Sequence, residues 1–202
     1  MAPDTGMVAG LAPTVPARCD ERMADQSLSG QLIVATPALT DGNFAHTVVL
    51  VLEHNPDGAV GVVVNRPSDA ALATALPSWA ALAAEPDVVF VGGPVQPQAI
   101  IALARTYGPT EGVQPILPGV GVVDVSGDPT LVGTVIAGVR VFAGYAGWGG
   151  GQLEEEVAGG GWFVVDARPE DVFTDEPGSL WRRVLRRQGG VFTTIPPDPT
   201  AN

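Results

Sequence analysis

Lysine is absent from the 202-residue chain, so all ten basic side chains are arginine. Against them stand 22 aspartate and glutamate residues, which give a formal net charge of −12. A chain this acidic repels phosphate backbones, and we therefore expect no direct contact with nucleic acid. A phosphate-binding loop of the P-loop type is also excluded, because that loop requires a lysine.

Cysteine and histidine are scarce. The single cysteine, Cys19, excludes an intramolecular disulfide and a cysteine-rich zinc site. We interpret it as an incidental residue of a loose segment rather than as a reactive thiol. Any histidine-dependent catalysis would have to use His46 or His54, and no serine lies in a G-x-S-x-G motif. The sequence therefore shows no catalytic nucleophile set, and we expect no catalytic residues and no cofactor.

Long apolar runs are also missing. No stretch of about 18 uninterrupted apolar residues is present, as a membrane-spanning helix would require. The N-terminus lacks the basic segment and apolar core that are typical of a signal peptide. We therefore expect a cytoplasmic protein with no membrane partner.

What is present is enough apolar material for one core, since hydrophobic residues make up 46% of the chain and charged residues 16%. Residues 1–29 and 191–202 show no apolar periodicity. We predict a disordered extension over 1–29, a single domain over 30–190 and a tail over 191–202.

The clearest strands are 46–54 and 59–65, joined by a turn with proline at its second position and glycine at its fourth. Antiparallel pairing places His54 opposite Ala59, and continuing that register places Leu50 opposite Val63. The same pairing brings segments 41–44 and 65–67 to one end of the hairpin.

Further elements follow from apolar runs and capping residues. We predict strands at 32–35, 87–91, 99–104, 120–125, 139–142 and 162–166, and helices at 68–76, 78–84, 168–173 and 179–187, with a helix start at 128 and a loop over 108–119. Several strands lack polar alternation, which indicates burial of both faces. We predict an α+β fold with a curled or barrel-like, mainly antiparallel sheet flanked by short helices.

The stretch Gly144–Glu156 has five glycines in its first eight residues, and it holds Tyr145 and Trp148. A short acidic helix is predicted to follow it. Because Gly147 and Gly149 flank Trp148, we expect a loop that presents the indole outward for recognition. The alternative is that both aromatic residues anchor a tight loop in the core.

Six motifs in order resemble the AlgH/YqgE family of small bacterial proteins. They are Leu32–Pro37, Asp41 with Phe44, Glu53–Asn55, Gly58 through Pro67, Gly92–Val95 and Gly144–Gln152. The resemblance implies a β-barrel flanked by helices. The family has no settled biochemical activity, although some members are labelled transcriptional regulators.

The candidate binding face joins the hairpin end to the glycine-rich stretch. It comprises Asp41, Asn43, Phe44, Asn65, Arg66, Pro67, Gly92, Gly93, Pro94, Tyr145, Trp148, Gly149, Gln152 and Glu155. We expect Asp41 and Arg66 to lie close enough to interact. The alternative for 65–67 is an ordinary strand end followed by a turn.

Glycines before a helix can cradle phosphate, but here Glu154, Glu155 and Glu156 occupy the first turn and would repel an anion. These glutamates could hold a divalent cation together with Asp41 or Asp124. We prefer an exposed acidic helix start, and predict no metal.

Three functions remain. The first is a non-catalytic protein that binds an unknown protein partner or a small ligand. The second is a transcriptional regulator that acts indirectly, because no basic helix-turn-helix pattern is present. The third, a hydrolase or transferase, lacks the nucleophile set described above.

Overall fold

The computed structural model describes residues 27–189. The predicted tail, Cys19 and most of the predicted extension lie outside the described residues. The strands are β1 (Gln31–Ala35), β2 (Val48–Asn55), β3 (Gly58–Val63), β4 (Pro67–Ala71), β5 (Val88–Val91), β6 (Val95–Thr106), β7 (Val113–Leu117), β8 (Val120–Val123), β9 (Ile136–Gly149) and β10 (Trp162–Asp166). The helices are α1 (Leu72–Ala75), α2 (Gln152–Ala158), α3 (Pro169–Val172) and α4 (Pro177–Gln188), with 3-10 helices at Pro77–Leu82 and Pro129–Leu131.

The long strand β9 organises the sheet. The order is β10-β1-β2-β3-β9-β6-β8-β7, with every neighbouring pair antiparallel. The first half of β9 also pairs in parallel with β5, and β5 pairs with β4. The sheet curls into a half-barrel with a few short helices, which confirms the predicted α+β class. No helix within residues 27–189 is long and apolar enough to cross a membrane.

Strand β1 and the first half of β2 are buried on both faces, which explains their unalternating apolar sequences. Leu32 and Leu50 point into the main core, where they meet Trp181 and Leu185 of α4. Their neighbours on the opposite face join a second core that contains Trp148, Trp162 and Leu153 of α2. The same strands therefore link the interior of the half-barrel to the aromatic cluster outside it.

The predicted hairpin register is right at its turn and wrong beyond it. His54 pairs with Ala59, but Leu50 pairs with Val62 and not with Val63. The register shifts between Val51 and Glu53, because Leu52 adds one residue to β2 as a β-bulge. The bulge moves the pairing by one residue and still leaves segments 41–44 and 65–67 at the same end.

Several predicted elements differ from those observed. Residues 68–76 hold only a one-turn helix, α1, after strand β4, and the Ser68 hydroxyl donates to the Val89 carbonyl instead of capping a helix. The predicted loop over 108–119 contains β7. The glycine-rich stretch continues β9 as far as Gly149, where a free loop was predicted.

Residues 27–29, which were assigned to the predicted extension, contact the domain. Leu28 is buried in the second core, and Ser27 and Ser29 hydrogen-bond to His54. Residues 27–29 therefore belong to the ordered domain.

Candidate functional site

A surface groove of about 550 Å³ lies where the end of β9, helix α2 and the loop after β1 meet. We call it the aromatic groove. Its lining residues are Leu39, Asp41, Asn43, Phe44, Gly147, Trp148, Gln152, Glu156, Gly159, Gly161 and Trp162. Five residues of the predicted binding face line it, namely Asp41, Asn43, Phe44, Trp148 and Gln152.

Arg66 stabilises the loop of residues 41–44, which forms one wall of the groove. Its guanidinium donates to the carbonyls of Asn43 at 2.6 Å and Gly42 at 3.3 Å. Burial lowers the pKa of Arg66, and the nearby Asp41 carboxylate partly opposes this shift. Asp41 itself accepts from the Asn43 amide at 2.8 Å. Arg66 and Asp41 are therefore within electrostatic reach, as predicted, and Arg66 acts through the backbone of the loop.

Asn65 and Pro67 lie outside the groove lining. The Asn65 side chain accepts from Val48 N and donates to the His46 carbonyl, both at 2.9 Å, and so closes the end of the hairpin. Pro67 begins β4 and pairs with Phe90. Asn65, in the bend after β3, fits the alternative of a strand end followed by a turn, whereas Pro67 begins a new strand.

The expectation of an outward-facing Trp148 is wrong. The side chain is only 7% exposed, and it packs with Phe44 and Trp162 at ring-centroid distances of 6.2 and 6.1 Å. Trp148 lies on β9, so strand alternation turns it toward the second core, and its glycine neighbours leave space on the other face. The indole forms part of the groove floor.

Glu156 fixes the polar edge of that floor. One carboxylate oxygen, Oε2, accepts from the indole N–H groups of Trp148 at 3.0 Å and Trp162 at 2.8 Å. The other oxygen accepts from Gln152 at 2.9 Å, and the Gln152 carbonyl accepts from the Gly149 amide. This network ties α2 to β9 and β10. Sequence spacing alone gave no sign of it, because the two indoles belong to different strands.

Gly92, Gly93 and Tyr145 were predicted to be binding residues. They lie where the segment after β5 passes close to the backbone of β9. A Cβ atom on Gly92 would lie 2.3 Å from the Gly144 carbonyl oxygen, and one on Gly93 would lie 2.2 Å from the Tyr145 carbonyl carbon. Only glycine lets these backbones approach so closely. Tyr145 packs against the main core. Pro94, which is exposed and follows these glycines, does not line the groove.

His54 makes a polar link that the sequence did not indicate. Its Nδ1 accepts from the Leu28 amide at 3.0 Å, so the neutral ring carries its proton on Nε2 and donates to Glu154 at 2.9 Å. Glu53, the neighbour in sequence, bonds to Asn55 instead. The link joins residues 27–29 to the first turn of α2, next to the groove.

The groove is acidic. Asp41 and Glu156 line it, Glu155 is exposed directly before Glu156 on α2, and no basic side chain is among its described lining residues. Gly149, at the end of β9, is exposed beside Gln152. Within residues 27–189 no group of three or more acidic, histidine or cysteine side chains is placed to hold a metal ion.

Fold and groove together define a small α+β protein with a curled, mainly antiparallel sheet and an acidic, aromatic groove beside its longest strand. A family model described as AlgH-like matches residues 32–193, and the chain belongs to this family of uncharacterised UPF0301 proteins.

Relatives and solved structures agree with this assignment. The chain is 45% identical over 185 residues to a UPF0301 protein of Streptomyces coelicolor, covering 87% of this chain and 96% of the relative. A UPF0301 protein of Thermobifida fusca is 44% identical over 193 residues, with 87% and 96% covered.

A crystal structure of a protein from Corynebacterium diphtheriae superposes with a TM-score of 0.77 at 30% identity, over 81% of this chain and 88% of that one. The solution structure of the AlgH protein from Pseudomonas aeruginosa gives a TM-score of 0.64 at 28% identity, over 93% and 100%.

Proposed function

We propose that this AlgH-like protein is a non-catalytic binding protein that holds a small ligand or a segment of a partner protein in the aromatic groove. The observation that carries the proposal is the Glu156 network, in which one carboxylate anchors two indoles and one amide along the groove floor. Side chains fixed in this way lose little conformational freedom on binding, which favours affinity.

The chemistry of the lining supports binding over catalysis. The described lining residues include no serine, cysteine, histidine or lysine. Covalent catalysis by a hydroxyl, thiol, imidazole or amine needs one of these residues in the lining. We place the binding in the cytoplasm, and any effect on transcription would act through a bound protein, since a charge of −12 opposes direct DNA contact.

Asn43 offers a way to block the groove without disturbing its supports. The residue is exposed at the rim, and its hydrogen bonds to Asp41 and Arg66 use backbone atoms. Asn43→Trp should fill the groove, and Asn43→Ala should leave it open. Each full-length variant is immobilised and exposed to a cell extract, and bound proteins and small molecules are identified by mass spectrometry.

We expect at least one species to be retained by the unmodified protein and by Asn43→Ala and to be lost with Asn43→Trp. Equal retention by all three proteins would place binding elsewhere and refute the groove as the site. Thermal melting of each variant checks that folding is unchanged.

A further inference from the structure

The donors and acceptors of the groove are unequal in number. The two indole N–H groups and the Gln152 amide are already used by Glu156. An ionised carboxylate has about four lone-pair sites, so Glu156 retains capacity for a further donor. Asp41 is exposed at the opposite rim and uses one oxygen for the Asn43 amide. The groove therefore offers negatively charged acceptors to a ligand, while the side-chain donors left over, on Asn43 and Gln152, are neutral amides.

The basic residue behind the groove does not change this balance. Arg66 donates to the backbone carbonyls of Gly42, Asn43 and Ala45. Its charge partly offsets that of Asp41, while Glu156 in the lining and the exposed Glu155 on α2 keep the groove negative. Charge complementarity accordingly favours a cationic occupant.

Apolar surface lies beside these acceptors. Leu39 and Phe44 are half-buried and pack against the second core, so part of each faces the groove. Arginine and lysine lay their methylene stems on apolar surface while the charged head reaches a polar site. A cation near the face of an aromatic ring gains additional attraction.

The far walls are formed by glycine. Gly147, Gly159 and Gly161 line the groove and present no side chains. Exposed glycines of this kind allow another backbone to approach closely. We infer that the occupant is an arginine- or lysine-bearing segment of a partner protein, with its basic side chain between Asp41 and Glu156. This inference rests on the groove being the binding site proposed above.

The test uses a capped pentapeptide of alternating alanine and arginine, titrated into the full-length protein and followed by tryptophan fluorescence, because Trp148 and Trp162 form the floor. The same peptide with citrulline in place of arginine keeps the shape and removes the charge. Spermidine serves as a small cation without a peptide backbone, and random duplex DNA as a polyanion.

Matched variants separate local charge from net charge. Asp41→Asn with Glu155→Gln removes one charge from the groove lining and one from the exposed residue next to Glu156 on α2, and keeps a hydrogen-bond acceptor at residue 41. Asp69→Asn with Glu111→Gln removes two exposed charges at residues that do not line it. From the energy of exposed ion pairs, we expect the groove double variant to weaken peptide binding roughly two- to thirtyfold. The control double variant should have little effect.

Each result of these titrations either supports or overturns the inference. The inference is supported when the arginine peptide binds more tightly than its citrulline form and than spermidine, and loses affinity only with the groove variant. Equal binding of the citrulline peptide, tighter binding of spermidine or DNA, or no binding of the arginine peptide overturns it. In any of those cases, loss of the captured species with Asn43→Trp would still support the groove as a binding site, so the two failures are distinguishable.

Discussion

The interior around Arg140 and the aromatic groove around Glu156 each hold one charged side chain among aromatic rings. Arg140 is 1% exposed, with its guanidinium 4.4 Å from the centre of the Phe90 ring. It donates to the backbone carbonyls of Val172, at 2.8 Å, and Glu85. Burial lowers the pKa of Arg140 to about 10, although the charge of Asp175 opposes the shift.

Glu156 remains partly exposed at the groove edge. Its partners are side-chain donors, and its capacity for hydrogen bonds is not exhausted. Arg140, by contrast, is enclosed by backbone carbonyls and rings, and its buried Nε atom has no hydrogen-bond partner among the described residues. A charge fixed entirely inside serves the architecture, whereas a charge fixed at an open edge can also meet a ligand.

The largest expected effect is from Arg140→Ala. It would leave a cavity between β9 and α3 and remove donors from two carbonyls, so we expect a loss of roughly 3–5 kcal/mol in the free energy of unfolding. Urea unfolding measures it. Arg140→Met, which refills most of the volume, should cost less.

The control is Arg105→Ala, because Arg105 makes an exposed ion pair with Glu170 at 3.6 Å. Such a pair is worth about 0.2–1 kcal/mol. Similar losses for Arg140→Ala and Arg105→Ala would show that the interior guanidinium is not structural.

Trp148→Ala should be nearly as severe. Its indole is as well buried as that of Trp162, which is 3% exposed, so truncation of either should cost about 3–5 kcal/mol. Denaturant midpoints compare the two variants. Tyr107→Ala is the control, since Tyr107 is 89% exposed and should change stability by no more than about 0.5 kcal/mol. If Trp148→Ala changed stability as little as Tyr107→Ala, Trp148 would have a role in recognition and none in folding.

Glu156→Gln should have an intermediate effect. The amide keeps one acceptor oxygen for the indoles but loses the charge that strengthens three hydrogen bonds, so we expect a loss of about 1–3 kcal/mol. Tryptophan emission should shift as Trp148 and Trp162 change environment. Glu155→Gln, one residue away and exposed, should leave both stability and emission unchanged. An unaltered spectrum in Glu156→Gln would mean that the network does not position the floor.

The smallest effect is expected at the His54 link. His54→Asn retains an acceptor near the position of Nδ1 for the Leu28 amide, and His54→Gln retains a donor toward Glu154. Hydrogen exchange at the Leu28 amide should therefore accelerate in His54→Gln and less in His54→Asn, with global stability changed by about 1 kcal/mol or less. The reverse order would assign the Leu28 contact to packing alone.

Much of the fold could be predicted from local pattern. The helix of α4 was predicted from its spacing, and Trp181, Val184 and Leu185 are its buried face. The helix start at Asp128 was also predicted. In the structure its carboxylate accepts from the Thr130 amide at 2.9 Å, as an N-cap residue does. Strand β7 was missed because Pro115 and its neighbours resemble a turn-rich loop, and only its pairing with β8 makes it a strand.

The sequence predicted which segments form the candidate site better than it predicted how their side chains are oriented. The loop at Asp41 and Phe44 and the glycine-rich stretch do line one groove, but Gly149 pairs with Gly58 at the turn end of the hairpin and not with the end that holds residues 65–67. The orientation of Trp148 could not be obtained from its glycine neighbours, because it depends on the pairing of Trp148 with Ala59 across β3 and β9. The partnership of Glu156 with Trp162 depends on where β10 lies.

The sequence by itself determined the positions of most strands and of α4, because apolar periodicity acts within a few residues of the chain. It also determined the formal net charge of −12, from which we expect no direct contact with nucleic acid. The tertiary structure alone decided the β-bulge at Leu52, the burial of Arg140 and the link from His54 to Glu154, 100 residues apart. These features depend on packing between segments that are far apart in the sequence. The energy of that packing cannot be read from local sequence patterns.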